Sequence, residues 1–207
     1  MKFLIIVGSA RKHGYSLEIA NAIKENLTNN ANNSVEIFNI PERQISACLG
    51  CVKCCENENQ YCVMQDEIVT AYRLMEEAES IIYISPIYEC FISGTLKNFF
   101  DRTNHYTSFF KLAGKPINLI LSGVQPLNGK TKEFSNAHVV KNINQYFKNY
   151  SIITHTDYHF LGFIQHSDHH STTLDVDSKT IKNITTKLLK QRVNNKLIAK
   201  SQYTYSV

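Results

Sequence analysis

Lys2-Phe3-Leu4-Ile5-Ile6-Val7, running into Gly8-Ser9-Ala10-Arg11-Lys12-His13-Gly14-Tyr15-Ser16, is the stretch that decides the fold. Phe3 to Val7 is an unbroken apolar run ending at a glycine. Such a run fits a strand buried on both faces and is far too short to span a bilayer. Beyond the turn, Ile19, Ile23 and Leu27 recur every four residues, one face of a helix over Ser16–Leu27.

The same alternation continues along the chain. Val35–Phe38 reads as a second strand and Ile81–Ile84 as a third. Between them, Ile68, Ala71, Tyr72, Met75 and Ala78 hold helical spacing, with Asp66 placed as a cap. Ser93–Thr103 predicts a helix with Leu96, Phe99 and Phe100 inward and Ser93 as its cap. Ile117–Leu121 is expected as the fourth strand, Thr131–Lys148 as a helix and Ser151–Thr154 as the fifth strand. From Ser178 a last helix is built on Ile181, Ile184, Leu188 and Leu197. Strands alternating with helices predict an α/β fold: a three-layer, doubly wound, five-stranded parallel sheet of order 2-1-3-4-5 with a C-terminal helical extension. The expected division is a main domain over residues 1–165 and an extension over residues 166–207 that carries the basic helix. In this order the topological switch lies between strands 1 and 3, and ligands bind beyond their carboxyl ends. The loops after Val7 and Ile84 are therefore the candidate ligand-binding loops.

Composition narrows the classes. With 207 residues, 43% of them apolar and 19% charged, the chain suits one ordinary core. The net charge of +4 is uneven. From Asp175 onward, seven Lys and Arg face two Asp, so that segment carries +5 and the remainder −1. A near-neutral body argues against nucleic-acid binding, and the basic tail helix reads as a solvated or subunit-contact face. No membrane span or leader pattern is read, which gives a cytoplasmic expectation. Five of the six cysteines crowd into Cys48–Cys62, which suggests metal or redox chemistry rather than a disulfide framework. His166, His169 and His170 beside Asp168 form a histidine tract, most simply a solvated turn.

The first loop places Ser9, Ser16, the Arg11 guanidinium and the amides of a helix N-terminus where they can converge on a phosphate. It matches neither the P-loop nor the dinucleotide fingerprint, and an ordinary capped turn with a solvated Arg–Lys pair is the competing reading. The second loop, Ser85-Pro86-Ile87-Tyr88-Glu89-Cys90-Phe91, offers flat apolar surface at Tyr88 and Phe91, or simply packs itself down. Cys48-x2-Cys51-x2-Cys54-x7-Cys62 spaces thiols so that successive ligands reach different corners of a cubane. A structural zinc site usually separates its Cys pairs by a longer stretch. Bare thiols or a redox-active pair are the alternative.

Taken together, Gly8-Ser9-Ala10-Arg11-x-x-Gly14-x-Ser16, Cys48-x-Gly50-Cys51-x-x-Cys54, Ser85-Pro86-Ile87-Tyr88 and Gly94-x-Leu96-Lys97-Asn98-Phe99-Phe100-Asp101-Arg102 resemble the NADPH-dependent FMN reductase family over residues 1–160. That family has the flavodoxin-like fold and includes the iron–sulfur flavoproteins. The resemblance implies FMN, with its phosphate on Ser9, Arg11, Gly14, Tyr15 and Ser16 and its ring on Pro86, Ile87, Tyr88, Glu89 and Phe91. Ser122, Gly123 and Val124 would flank the ring's other side. The family commonly has a small or amide residue at the position of Tyr15, which makes backbone contact the expectation there. A carboxylate at Glu89 facing the ring would lower its potential. The resemblance also implies a [4Fe-4S] cluster on Cys48, Cys51, Cys54 and Cys62, and a homodimer or homotetramer.

The leading expectation is an oxidoreductase that takes hydride from NAD(P)H and reduces a small acceptor: a quinone, an azo or nitro compound, or free flavin. The flavin does the chemistry, so no catalytic side chain is named. The alternatives are an iron–sulfur flavoprotein passing electrons to or from a ferredoxin-like protein, and a non-enzymatic module using the cysteines for zinc or thiol switching.

Overall fold

Strand β1 (Lys2–Val7) pairs in parallel with β2 (Ser34–Asn39) on one side and β3 (Ser80–Tyr88) on the other. This computed structural model describes residues 1–29, 32–129, 135–166 and 178–198. Beyond β3 lie β5 (Pro116–Gly123) and β6 (Asp157–Gln165), both parallel, giving the order β2-β1-β3-β5-β6. The short strand β4 (Phe91–Ile92) turns back antiparallel on the end of β3. The five parallel strands carry the expected doubly wound order.

The two faces of β1 show why helices lie on both sides. Phe3, Ile5 and Val7 meet Ile19, Ile23 and Leu27 of α1 (Tyr15–Thr28) and Ile181, Ile184 and Leu188 of α6 (Ser178–Leu189). Leu4 and Ile6 join the opposite core. There they share one apolar cluster with α2 (Ile68–Glu77), α3 (Gly94–Arg102), α4 (His105–Phe109) and α5 (Ala137–Thr154). No helix among the described residues is long and apolar enough to cross a membrane.

Two elements differ from expectation: α6 stops at Leu189, so Leu197 lies beyond it, and one expected strand is helical. Ser151–Thr154 is not a strand but the last turn of α5, which ends at His155 in the left-handed conformation. The β-branched pair Ile152–Ile153 mimics a buried strand in sequence, yet Ile152 is 72% exposed. The fifth parallel strand is β6, whose side chains are mostly half-buried and therefore leave a weak apolar signal.

The carboxyl end of β1 is held by close contact with α3. Gly8 donates its N–H to the Ile84 carbonyl at 2.8 Å. Its own carbonyl accepts from the buried Ser93 hydroxyl, which in turn accepts from the Leu96 N–H at 3.0 Å. A Cβ at Gly8 would stand 2.6 Å from the Leu96 Cβ. Gly8→Ala is therefore expected to overpack this junction and lower stability by about 1–3 kcal/mol, read as an earlier urea midpoint. Gly94→Ala, whose new methyl meets nothing within 4 Å, should melt at or above wild type.

Candidate functional site

A cleft opens at the carboxyl ends of β1, β3 and β5. Its walls are Ser9, Arg11, Gly14, Tyr15 and Ser16 from the first loop, Pro86, Ile87 and Tyr88 from the end of β3, Ser122, Gly123 and Val124 from the end of β5, and His166. Eleven of the thirteen residues proposed from sequence for the cofactor are thus brought together from three loops. This is where a parallel sheet presents its helix N-termini and strand ends to one space.

Local bonds shape each wall. Ser9 Oγ accepts from the Arg11 N–H at 3.1 Å, curling the first loop, and the Lys12 carbonyl accepts from Asn39 Nδ2 at 3.0 Å, tying that loop to β2. The Gly14 carbonyl accepts from Leu17 and Glu18, starting α1 so that its amino end points at the cleft. On the second wall, Ser85 Oγ accepts from the Ser93 N–H at 3.1 Å and donates to the Pro86 carbonyl at 2.8 Å. Among the described residues no carboxylate lines the cleft, and Arg11 supplies a permanent positive charge. A helix amino end plus a guanidinium favours an anion.

Glu89 and Phe91 fall outside the cleft lining. Glu89 and Cys90 form the two-residue turn between β3 and β4, both with positive φ, and both side chains are exposed. Phe91 turns inward to meet Tyr146 edge-on at 5.5 Å. The hairpin, invisible as a pattern in sequence, places the Glu89 carboxylate in solvent outside the cleft lining.

The residues fit FMN by a test internal to the structure. Ser122 Oγ and the Tyr15 hydroxyl are buried without a hydrogen-bond partner, and both residues line the cleft. Buried hydroxyls are ordinarily bonded, so orphans at a cleft point to an absent ligand. FMN offers phosphate, ribityl and ring acceptors for them.

A second, smaller cavity is lined by Cys48, Cys51, Cys54 and Cys62 together with Leu49, Val52, Val63, Met64, Asp101 and Arg102, among others. Cys55 is absent from this lining; its sulfur accepts from Asn104 Nδ2 at 3.2 Å. Cys55 thus stays outside the lining while remaining a neighbour of Cys54, the two sulfurs 3.8 Å apart. Among the described residues, no three His, Cys, Asp or Glu side chains converge as single-metal ligands. The four thiols fit a cluster in donor type and shared cavity, whereas a single zinc ion lacks a converged set. Burial, then Cys55 and Cys62, push the Cys54 thiol up to about 12.

Sequence reasoning assigns no role to Arg102, which the structure places at the root of the cysteine loop. Its guanidinium is fully buried and grips Asp66 through two bonds of 2.8 and 3.0 Å. It also donates to the Ser46 carbonyl at 2.7 Å and the Met64 carbonyl at 3.4 Å. One side chain thereby gathers both ends of residues 46–66. The available signal was a cation three residues after core-facing Phe99, on the helix's apolar side. His169, His170 and Asp168 of the histidine tract lie outside the described residues; His166 is at the cleft.

Comparison with known proteins places these features. The family model described as NADPH-dependent FMN reductase matches residues 1–146. An iron-sulfur flavoprotein of Archaeoglobus fulgidus is 33% identical over 115 residues, 56% of this chain and 51% of that protein. An iron-sulfur flavoprotein of Methanocaldococcus jannaschii is 28% identical over 142 residues, 67% of this chain and 70% of that protein. The chain therefore spans about half the length of the first relative. An FMN-dependent NADH-azoreductase from Bacillus anthracis, solved with FMN, superposes with a TM-score of 0.58 at 13% identity, over 97% of this chain and 100% of that one. That likeness is one of fold.

Burial alone would raise the Asp66 pKa, but the hydrogen bonds from Arg102 and from the Ser46 and Ile68 N–H groups outweigh it and hold the carboxyl below its ordinary value. A depressed carboxyl contributes stability that is complete above its unfolded pKa, about 4, and lost as pH falls through the folded value. Asp66→Asn should cost about 3 kcal/mol at pH 7, because it leaves Arg102 buried and unpaired. In urea titrations across pH, the gap to wild type should narrow below about pH 4.

Proposed function

The chain belongs to the NADPH-dependent FMN reductase family, and from that premise we propose that it is an FMN-dependent NAD(P)H oxidoreductase acting on a small acceptor, a quinone, an azo or nitro compound, or free flavin. The observation that carries this reading is the cleft itself: three strand ends, one guanidinium, one helix amino end and two orphaned hydroxyls around a single space.

In this reading Ser9, Arg11, Gly14, Tyr15 and Ser16 hold the phosphate of FMN. Pro86, Ile87 and Tyr88 support one side of its ring, and Ser122, Gly123 and Val124 flank the other. When bound, FMN supplies hydride acceptance and two-electron redox chemistry. The chain's own residues bind and orient. Arg11 and the α1 amides neutralise the phosphate, Pro86 stiffens the β3 exit, and half-exposed Tyr88 leaves its side of the cleft open to a substrate. Placing Glu89 in solvent keeps a fixed negative charge away from the ring, which favours acceptance of hydride's charge.

A second reading is favoured by one specific observation, the shared cavity of Cys48, Cys51, Cys54 and Cys62. The relatives called iron-sulfur flavoproteins support a [4Fe-4S] cluster there, relaying single electrons to or from a ferredoxin-like partner. Helix α3 runs from the cleft, where Ser93 bonds Gly8, to the cavity at Arg102, about 13 Å of helix axis.

Anaerobic protein should show two resolved flavin bands that bleach on adding NADPH or NADH and return with a quinone. Protein that takes up no FMN would overturn the reading. About four irons per chain, the count for one cubane, would establish the second reading, and Cys51→Ser should then lose iron while keeping FMN.

A further inference from the structure

Tyr15 is nine-tenths buried, yet it belongs to neither of the two apolar cores. It stands in the first turn of α1, its ring stacked on His166 with centroids 4.2 Å apart and planes 17° apart. Both rings line the cleft, and the His166 N–H donates to the Gly123 carbonyl at 3.1 Å. The pair therefore bridges the first loop and the end of β5. The Tyr15 hydroxyl has no protein partner and almost no contact with solvent.

A buried phenol without a partner is costly, because phenylalanine fills the same volume without burying a polar atom; Tyr83 carries that cost inside the apolar core, whereas Tyr15 stands at the wall of the cleft. The hydroxyl is explained if a ligand supplies its acceptor. We infer that Tyr15 donates a hydrogen bond from its side chain to an oxygen of the FMN tail, phosphate or ribityl, and that His166 is the positioning residue holding the Tyr15 ring at the cleft wall. This rests on the flavin reading above and replaces the expectation that Tyr15 contributes its backbone alone.

The inference makes two effects of one substitution run in opposite directions. Tyr15→Phe keeps the ring and the stack and removes only the hydroxyl. FMN affinity, measured by titrating cofactor-free protein, should fall about five- to tenfold, the usual worth of one hydrogen bond. The melting temperature of the same cofactor-free protein should stay level or rise, because an unsatisfied buried group is gone. His166→Ala should weaken FMN by a similar factor. His166→Phe, which can still stack, should restore affinity. The double variant Tyr15→Phe/His166→Ala should bind no worse than the weaker single variant. Riboflavin separates the two acceptors. If the partner is phosphate, Tyr15→Phe leaves riboflavin binding unchanged; if ribityl, the two flavins weaken together. Wild-type FMN affinity in Tyr15→Phe overturns the inference while leaving the flavin reading intact. So does a loss of affinity accompanied by a lower cofactor-free melting temperature, which would make the hydroxyl structural. Wild-type protein that binds no FMN overturns both.

Discussion

A strand that is apolar on both faces has to be covered on both faces, and β1 imposes that condition on everything around it. Phe3, Ile5 and Val7 demand one helical layer, and Leu4 and Ile6 demand another. Parallel neighbours need crossover connections, and those connections are the covering helices. Once two layers exist, the loops leaving β1 and β3 diverge to opposite sides and open a crevice between them. The cleft is thus a by-product of burying five consecutive apolar residues.

Polar pins then convert the crevice into a defined site. Ser93 caps α3 and bonds the Gly8 carbonyl, so the first and second loops share one hydroxyl. Gly8 permits the approach because it has no Cβ to meet Leu96. At the far end of the same helix, Arg102 does the corresponding work for the cysteine loop. A guanidinium removed from water must be matched by a carboxylate and carbonyls, and the groups that match it come from Ser46, Met64 and Asp66. The same helix therefore organises both candidate redox regions, one through its cap and one through its last turn.

Not every polar group is satisfied, and the exceptions are informative by position. Tyr15 and Ser122 bring their orphaned hydroxyls to the cleft, while four thiols line a cavity without meeting at a point. Both arrangements suit extended ligands with several contact atoms more than a single ion. This chemistry agrees with membership of a flavin reductase family and with the likeness to iron-sulfur flavoproteins.

Much of this was legible in the sequence, because strand order follows from alternation and switch-point geometry follows from strand order. The Gly8–Ser16 turn, the Ser93 cap and the four-thiol spacing are local, and local chemistry survives in a one-dimensional reading. What tertiary structure alone decided depends on which distant groups meet. Ile152 and Ile153 have strand-like side chains, but α5 continues through them and leaves both exposed. Glu89 leaves the cleft because β4 folds back on β3. Arg102 finds Asp66 across 36 residues, and His166, just past β6, finds Tyr15, which follows β1. Spacing encodes period and turn, whereas a pairing between remote side chains exists only after the backbone has brought them into contact.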